Sequence, residues 1–479
     1  MSSIKSGEIT EHSLHYRWLD RQHNPVWINC RGDVILDEFN KPLYLIGCVN
    51  EIGKRQKADN ISGLLREPCL EEYVSSKSKN NYFMQIGIDD FDEINGRFGL
   101  KCGDEILKQF SMCMQSCINE NQKIYELGNG RFIIMDLANH SKEDILELYD
   151  ELKKSVEVAL EENVYRVVYT ISVGIVEIDK EMKDYDTLIK YSDFALNEAK
   201  KKGKNSCYFF TQDKYKQFIR RREIRVELQN AVDHNFKNFD VYYQPIIDIH
   251  TRNLIGAEAL MRFKMKRNEQ IEFISPAEFI PILEESGLII PAGRWILRQA
   301  VACCKKWQEF IPEFKVNVNL SYVQIIKSKI LDEIKQALKD FNLKPALLGI
   351  EVTESGYLEN TYHYKKLWSS LKEEGITLIL DDYGTGYSNA YRLSDLTPHY
   401  IKIDRVLTQK ALSSNYERSI LIYIIEMAHS LKLNVCIEGV ETEEELQEIK
   451  KLNPDYIQGY LFGKPAPEDE FYNRQIKKK

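Results

Sequence analysis

Short apolar runs alternate with charged stretches along most of this 479-residue chain, and the spacing of the runs changes from one region to the next. Near the N-terminus, three runs rich in aromatic and β-branched residues follow one another closely, with polar turns between them. They are His15–Leu19, Val26–Arg31 and Leu43–Val49. This spacing predicts a small antiparallel sheet within residues 1–55.

Between residues 56 and 215 the pattern becomes an alternation of strands and helices, which is typical of an α/β domain. The predicted strands include Tyr82–Ile88, Arg131–Met135 and Val167–Val173, and a predicted helix covers Tyr185–Lys201. In residues 216–235, apolar residues recur every four positions within a strongly charged stretch. This periodicity predicts an amphipathic linker helix.

From residue 236 to residue 470, eight short apolar runs are separated by longer helical stretches. The runs are Val241–Pro245, Leu254–Leu260, Lys315–Asn319, Leu348–Val352, Thr377–Leu380, Tyr400–Ile403, Val435–Ile437 and Tyr456–Ile457. Eight such units predict a (β/α)8 barrel, in which the C-terminal ends of the strands share one mouth. Residues 471–479 are left as a basic tail.

Acidic, amide and lysine side chains stand at these strand ends, where burial of bare charge is costly. They are Glu258, Asn319, Glu351, Asp381, Asp382, Lys402, Glu438 and Gln458. Asp381 and Asp382 are adjacent, so the chain must bend there if both carboxylates are to meet at one point. Because hard divalent cations prefer oxygen ligands, the set predicts a metal site at the barrel mouth.

Composition narrows the classes of function. A net charge of −8 and a pI of about 5.8 argue against a dedicated nucleic-acid binder. No apolar run approaches the roughly 18 residues of a membrane helix, and the N-terminus has no apolar signal core. We therefore expect a cytoplasmic protein without a membrane partner. The ten cysteines include no Cys-x-x-Cys pair, and no paired histidines follow at zinc spacing, so they are expected to be reduced thiols.

Several motifs occur at the predicted strand ends of the barrel. They include Glu258-Ala259-Leu260, Asn319-Leu320-Ser321, Asp381-Asp382-Tyr383-Gly384 and Lys402-Ile403-Asp404. Taken together, they resemble the EAL family of cyclic di-GMP phosphodiesterases over residues 236–470. The resemblance implies a hydrolase that uses Mg²⁺ or Mn²⁺ in a two-metal site and opens cyclic di-GMP to linear pGpG. It also implies a homodimer formed through this domain.

The same resemblance implies a role for each residue of the site. Six residues would hold the metals, namely Glu258, Asn319, Glu351, Asp381, Asp382 and Glu438. Lys402 would position or deprotonate the attacking water, and Gln458 would support the water network. Gln244 and Arg262 would grip the substrate, Arg262 through a bidentate contact to phosphate. Glu354 would hold the loop after Asp382, although an ordinary capping acid fits that position too.

The central segment carries a second set of motifs, which includes Ile94-Asn95-Gly96, Gly103-Asp104 and Ser172-Val173-Gly174. In order and spacing these resemble a GGDEF domain, the diguanylate cyclase family. Arg131 and Gly87 stand where that family has metal-ligating acids. Because phosphoryl chemistry of this kind depends on metal charge, we expect no cyclase activity.

The part of this domain that contacts nucleotide in the family is retained. Asn95 and Asp104 match the guanine contacts, and Lys200 and Lys204 match the phosphate contacts. The domain could therefore bind GTP and regulate the barrel, or it could be a structural domain kept for packing and dimerisation.

The N-terminal strands resemble the last strands of a PAS sensor domain and cover about half of one. For the barrel, the alternative to an enzyme is a receptor that binds cyclic di-GMP without hydrolysing it and signals through a partner. The complete set of acids with Lys402 favours the enzyme.

Overall fold

The computed structural model describes residues 11–19, 25–36, 42–52, 59, 61–76, 82–136, 140–161, 167–178, 184–267, 269–353, 361–384 and 397–477. The chain divides into two compact units, Met1–Gln217 and Phe218–Lys479. In the first unit, strands β1 (Glu11–Leu19), β2 (Pro25–Leu36) and β3 (Pro42–Ile52) form an antiparallel sheet in chain order. The three predicted strands are confirmed, while the PAS resemblance stays a prediction.

A six-stranded sheet in the order β4-β6-β7-β5-β8-β9 forms the core of the first unit. Its strands are β4 (Leu65–Arg66), β5 (Tyr82–Ile88), β6 (Gln122–Gly128), β7 (Arg131–Asp136), β8 (Ile171–Glu177) and β9 (Cys207–Phe209). The helices are α1 (Glu67–Ser76), α2 (Phe91–Phe98), α3 (Leu100–Cys117), α4 (Lys142–Glu161) and α5 (Tyr185–Lys201). Strand β5 is buried along its whole length because β7 and β8 pair with its two edges and apolar clusters cover both of its faces.

Helix α6 (Gln212–Asp233) contains the boundary between the units, and it confirms the helical conformation predicted for residues 216–235 as far as Asp233, while the linker role stays a prediction. The second unit has strands β10 (Phe239–Asp248), β11 (Leu254–Arg267), β12 (Gln270–Ile274), β13 (Lys315–Asn319), β14 (Leu348–Thr353), β15 (Thr377–Tyr383), β16 (Tyr400–Ile403), β17 (Asn434–Glu438), β18 (Tyr456–Gln458) and β19 (Ala466–Pro467). Its helices are α7 (Pro276–Ser286), α8 (Ile289–Trp307), α9 (Tyr322–Lys327), α10 (Ile330–Phe341), α11 (Thr361–Glu373), α12 (Arg405–Ser413), α13 (Asn415–Ser430), α14 (Glu443–Lys450) and α15 (Glu468–Phe471), with a 3-10 turn at Pro345–Leu347 and a π turn at Tyr472–Ile476.

Eight of these strands close into the predicted barrel. Strands β11 and β13 to β18 are parallel neighbours in chain order. Strand β10 completes the ring but runs antiparallel to both β11 and β18, unlike the first strand of a regular (β/α)8 barrel. The reason is local, because only a short turn joins β10 to β11. In that turn, Asp248 Oδ1 accepts from the backbone N–H groups of His250 and Thr251.

An apolar layer lies beneath the polar mouth of the barrel. Ile379, Tyr400 and Cys436 stand two residues before Asp381, Lys402 and Glu438, so each pair points to the same side of its strand. Together with Ile246 on β10, these three residues form a small buried cluster distinct from the main apolar core. In the part of the chain that the structure describes, no helix is both long and apolar enough to cross a membrane.

Candidate metal centre at the barrel mouth

Lys402 lies at the centre of the barrel mouth, with 1% of its side chain exposed. Its Nζ is 2.9 Å from Glu258 Oε2 and 2.8 Å from Glu351 Oε2. The same atom is 3.2 Å from Asp381 Oδ1 and 2.7 Å from Glu438 Oε1. Four strands therefore direct a carboxylate toward one ammonium group, and five of the predicted residues are brought together.

Two amide side chains donate hydrogen bonds to one of these carboxylates, Glu258. Asn319 Nδ2 donates to Glu258 Oε1 over 2.7 Å. Gln458 Nε2 donates to Glu258 Oε2 over 2.8 Å and to Gln244 Oε1 over 3.1 Å. Gln458 Oε1 is buried and has no hydrogen-bond partner among the described residues. A buried acceptor of this kind fits a site that also binds a cation or water.

The chain bends at Asp381 and Asp382, as the adjacent acids predict. Asp382 has a left-handed backbone with φ of 56°, and its N–H donates to Asp381 Oδ1 over 2.9 Å. The ladder between β15 and β16 skips from Leu380 to Tyr383, which is an irregularity of the bulge type. Burial and the charge of Asp381 raise the pKa of Asp382 to about 6. Glu354, which was expected to hold the loop that follows, lies outside the described residues.

The carboxylates outnumber the cation that they surround, and their pKa values reflect this. Burial opposes ionisation of Glu258, but Lys402 and two amide hydrogen bonds lower its pKa. Burial raises the pKa of Glu351 well above its usual range, and that of Glu438 to about 8. Burial would lower the pKa of Lys402, but its carboxylate neighbours raise it well above the ordinary value. Lys402 is therefore an ammonium group in this arrangement.

The residues present fit a divalent-metal centre. Glu258, Glu351 and Asp381 each offer an oxygen, and these oxygens lie within 4.8 Å of one another. With Asp382 and Glu438, five carboxylates face one ammonium group, so four negative charges remain unbalanced when all are ionised. Two divalent cations would balance that charge, and oxygen donors are the ligands that Mg²⁺ and Mn²⁺ prefer.

Asn317 and Tyr400, which the strand-end pattern did not single out, lie beneath these acids. Asn317 Nδ2 donates to Glu351 Oε1 over 2.8 Å and also to the hydroxyl of Tyr400. A signal for Asn317 was present in the sequence, because it is two residues before Asn319 and therefore shares its face of β13. The contact with Tyr400 depends on strand register and has no counterpart in the sequence pattern.

A cavity of about 510 Å³ lies beside the acids, and Asn319, which donates to Glu258, forms part of its lining. Its walls come from β11, α7, α8 and the start of α9, and Ile280, Ile289 and Ile296 make much of the lining apolar. Arg262 also lines the cavity, with its guanidinium carbon 5.5 Å from the centre of the Tyr242 ring. An apolar wall beside a guanidinium group suits a ligand with both flat apolar surface and negative charge. In the sequence, the apolar wall residues are indistinguishable from ordinary helix core.

In the first unit, the predicted nucleotide residues form two groups. Asn95 and Asp104 form the first group. Asn95 packs against Gly103, where an added Cβ would lie 1.9 Å from Asn95 Oδ1. Asp104 follows Gly103 in the chain and is exposed. Lys204 belongs to the other group and pairs with Asp90, with Nζ 2.6 Å from Oδ1. The described contacts join no residue of one group to a residue of the other.

Cations stand where the family resemblance places metal-ligating acids. Lys200 Nζ lies 3.2 Å from the position that a Cβ on Gly87 would occupy. Arg131 is directly opposite Gly87 in the β5–β7 ladder, and its Nη1 is 3.5 Å from Asp193 Oδ1. This end of the sheet therefore has cations at positions where the family resemblance implies acids, whereas the barrel mouth has more carboxylates than cations.

Comparison with known families assigns one domain to each of the two compact units of the chain. The EAL domain family model matches residues 225–465, which is half of the chain. The chain belongs to the EAL domain family. The family model described as diguanylate cyclase, GGDEF domain, matches residues 65–206, so the two domains occur in tandem.

Two curated relatives differ in the activities that their names record. The cyclic di-GMP phosphodiesterase PdeR of Escherichia coli is 27% identical over 464 residues, 95% of this chain and 68% of PdeR. The bifunctional diguanylate cyclase/cyclic di-GMP phosphodiesterase MucR of Pseudomonas aeruginosa is 26% identical over 420 residues, 86% of this chain and 60% of MucR. The chain spans about half the length of other curated relatives that it matches.

A solved structure supports the fold of this EAL protein. It is the EAL enzyme Bd1971 in its form bound to cAMP and cyclic di-GMP, which is 23% identical. The similarity covers 72% of this chain and 81% of that chain, with a TM-score of 0.51.

Proposed function

We propose that the barrel of this EAL protein hydrolyses cyclic di-GMP to linear pGpG in a reaction that depends on Mg²⁺ or Mn²⁺. The observation that carries the proposal is the convergence of Glu258, Glu351, Asp381 and Glu438 on one buried point. The substrate is supported by the name of PdeR and by the cavity beside the acids, which combines an apolar wall with Arg262.

The oxygen ligands would divide between two cations. Glu258, Asn319, Glu351 and Asp381 would hold the first, and Asp381 with Asp382 and Glu438 would hold the second. Bound there, divalent cations would activate a water molecule and neutralise the charge of the phosphodiester.

The remaining residues would bind and orient the reactants. Lys402, which lies among the surrounding carboxylates, would position or deprotonate the attacking water. Gln458 would help to orient this water from its place between Glu258 and Gln244. Arg262 and Gln244 would grip the substrate, with the guanidinium group on a phosphate.

For the central domain we propose binding of GTP as a regulator, without cyclase activity. Lys200 beside Gly87 and Arg131 opposite it support the loss of a metal site, because both add positive charge where cations would have to bind. Asn95 and Asp104 would contact guanine, and Lys200 and Lys204 would contact phosphate. We also propose a homodimer formed through the EAL domain.

The experiment that tests the barrel's function is hydrolysis of cyclic di-GMP with Mg²⁺ or Mn²⁺, with the wild type beside Glu258→Ala. Products are separated by chromatography. We expect pGpG from the wild type only. A wild type that binds cyclic di-GMP but leaves it intact with either metal would contradict the proposal and would identify a receptor instead.

A further inference from the structure

We propose that Asn317 and Tyr400 are a positioning pair that orients Glu351 for metal binding. The inference rests on the proposed function of the barrel and adds residues that it does not include. Asn317 is 2% exposed and Tyr400 is 8% exposed, on strands β13 and β16. Both lie below the mouth, so they would act through Glu351 rather than on the substrate.

The hydrogen bonds of Asn317 hold the carboxylate of Glu351 from below. The Nδ2 amide group has two hydrogens, and both have acceptors, namely Glu351 Oε1 and the hydroxyl of Tyr400. On the other side, Glu351 Oε2 accepts from Lys402 over 2.8 Å. The two oxygens of Glu351 therefore have different neighbours. Oε1 faces Asn317 in the barrel interior, and Oε2 faces Lys402 among the proposed metal ligands.

The backbone leaves room for this arrangement at one particular residue. Strand register places Asn317 opposite Gly349. A Cβ at position 349 would lie 2.2 Å from Asn317 Oδ1 and 2.8 Å from Ile379 Cδ1. Only glycine fits there while the Asn317 side chain reaches across to Glu351, so the structure accounts for a strand glycine that would otherwise weaken β14.

The hydroxyl of Tyr400 accepts the second hydrogen bond of the Asn317 amide group. Its ring belongs to the buried cluster of Ile246, Ile379 and Cys436, and the Tyr456 ring packs edge-on against it with centroids 5.7 Å apart. A hydroxyl group in such apolar surroundings is costly without a hydrogen bond, and Asn317 provides one. The ring of Tyr400 is thus fixed by packing, and it fixes the amide of Asn317 in turn.

Loss of a residue that supports a metal ligand typically weakens metal binding by about 10- to 100-fold. We expect a loss of this size for Asn317→Ala, because Glu351 Oε1 then has no partner from below. Tyr400→Phe should have a smaller effect in the same direction, since Asn317 keeps its bond to Glu351 but loses its anchor. Arg262 and Gln244 remain in place, so the KM for cyclic di-GMP at saturating Mn²⁺ should stay unchanged.

The test is Mn²⁺ titration of the full chain, with free Mn²⁺ measured by electron paramagnetic resonance. Tyr456→Phe is the matched control, because it removes a hydroxyl group from the adjacent ring, whose own hydrogen bond is to Asn434. We expect the Kd for Mn²⁺ to rise in Asn317→Ala, to rise less in Tyr400→Phe, and to stay at the wild-type value in Tyr456→Phe.

A wild-type Kd in either folded variant would overturn the positioning pair. If Asn317→Ala does not fold, Tyr400→Phe decides the matter by itself, because it keeps the size and packing of the ring. Absence of Mn²⁺ binding by the wild type would instead contradict the proposed function, so the two failures are distinguishable.

Discussion

The barrel mouth and the end of the central sheet near Gly87 differ in the charged groups that they bring together. At the barrel mouth, four carboxylates surround the single ammonium group of Lys402. At the central sheet, Lys200 lies over Gly87 and Arg131 stands opposite it. The first arrangement has more carboxylates than cations, whereas in the second Arg131 pairs with Asp193 and Lys204 with Asp90.

This difference shows why family membership alone does not assign an activity to each domain. Buried carboxylates without counter-ions destabilise a fold, so an excess of them is informative about function. The central domain has no comparable excess among the described residues around Gly87. The name of MucR records both activities, so a pair of GGDEF and EAL domains does not by itself predict which activity a protein has. The prediction for this chain rests on the residues at the barrel mouth and around Gly87.

The largest expected effect is that of Lys402→Met, which removes the cation that the four carboxylates share. Breaking a buried charge pair on one side typically costs about 3–5 kcal/mol, and we expect the metal-free barrel to lose that much unfolding free energy. Hydrolysis of cyclic di-GMP should fall below detection. Urea unfolding without metal measures the first effect, and product chromatography measures the second.

Lys451→Met is the matched control for Lys402, because Lys451 pairs with Glu448 at the surface. Surface pairs contribute little, so its unfolding curve should overlay that of the wild type. Equal unfolding curves for the two lysine variants would show that Lys402 does not stabilise the carboxylates of the barrel mouth.

A smaller but more localised effect is expected from Mn²⁺ itself. A ligand at 100 times its Kd stabilises the native state by about 2.7 kcal/mol. Hydrogen exchange followed by mass spectrometry should therefore slow in β14, β15 and β16, which carry Glu351, Asp381, Asp382 and Lys402. It should not change in β5 and β8 of the central sheet. Equal protection of both sheets would remove the contrast on which the assignment of function rests.

The smallest expected effect concerns GTP. Coupling between two sites is typically worth about 1–3 kcal/mol, so GTP should lower KM or raise kcat for cyclic di-GMP by about fivefold or more. Asp104→Ala should remove this response, while Glu120→Ala, at another exposed acid of the same domain, should keep it. If millimolar GTP changes neither parameter, the central domain is structural.

Much of the barrel could be predicted from the sequence because each strand is a short apolar run and each ligand stands at the end of one. The antiparallel β10 was not predicted, since alternation alone does not reveal strand direction. In the central domain, Val167–Val173 was predicted as a strand, but the observed strand is Ile171–Glu177. Its partner β5 pairs Ile88 with Ile171 and Tyr82 with Glu177, so residues before Ile171 extend past the end of that strand.

The supporting residues of the site were harder to predict than the ligands. Asn317 and Tyr400 meet only because β13, β14 and β16 curve around one interior, and their sequence separation of 83 residues carries no signal. The apolar wall of the cavity was equally hard to predict, because Ile280 and Ile289 follow the periodicity of ordinary helix core residues. Ligands are recognisable as residues that are costly to bury, whereas their supports look like core.

The central claim is that one domain of this chain hydrolyses cyclic di-GMP and the other does not make it. The most direct measurement incubates wild type with cyclic di-GMP, and Glu258→Ala with GTP, in the presence of Mg²⁺ or Mn²⁺. The variant is needed because an active barrel would consume any cyclic di-GMP formed. We predict pGpG in the first reaction and no cyclic di-GMP in the second. Accumulation of cyclic di-GMP by Glu258→Ala, or an intact substrate with wild type, would contradict the account.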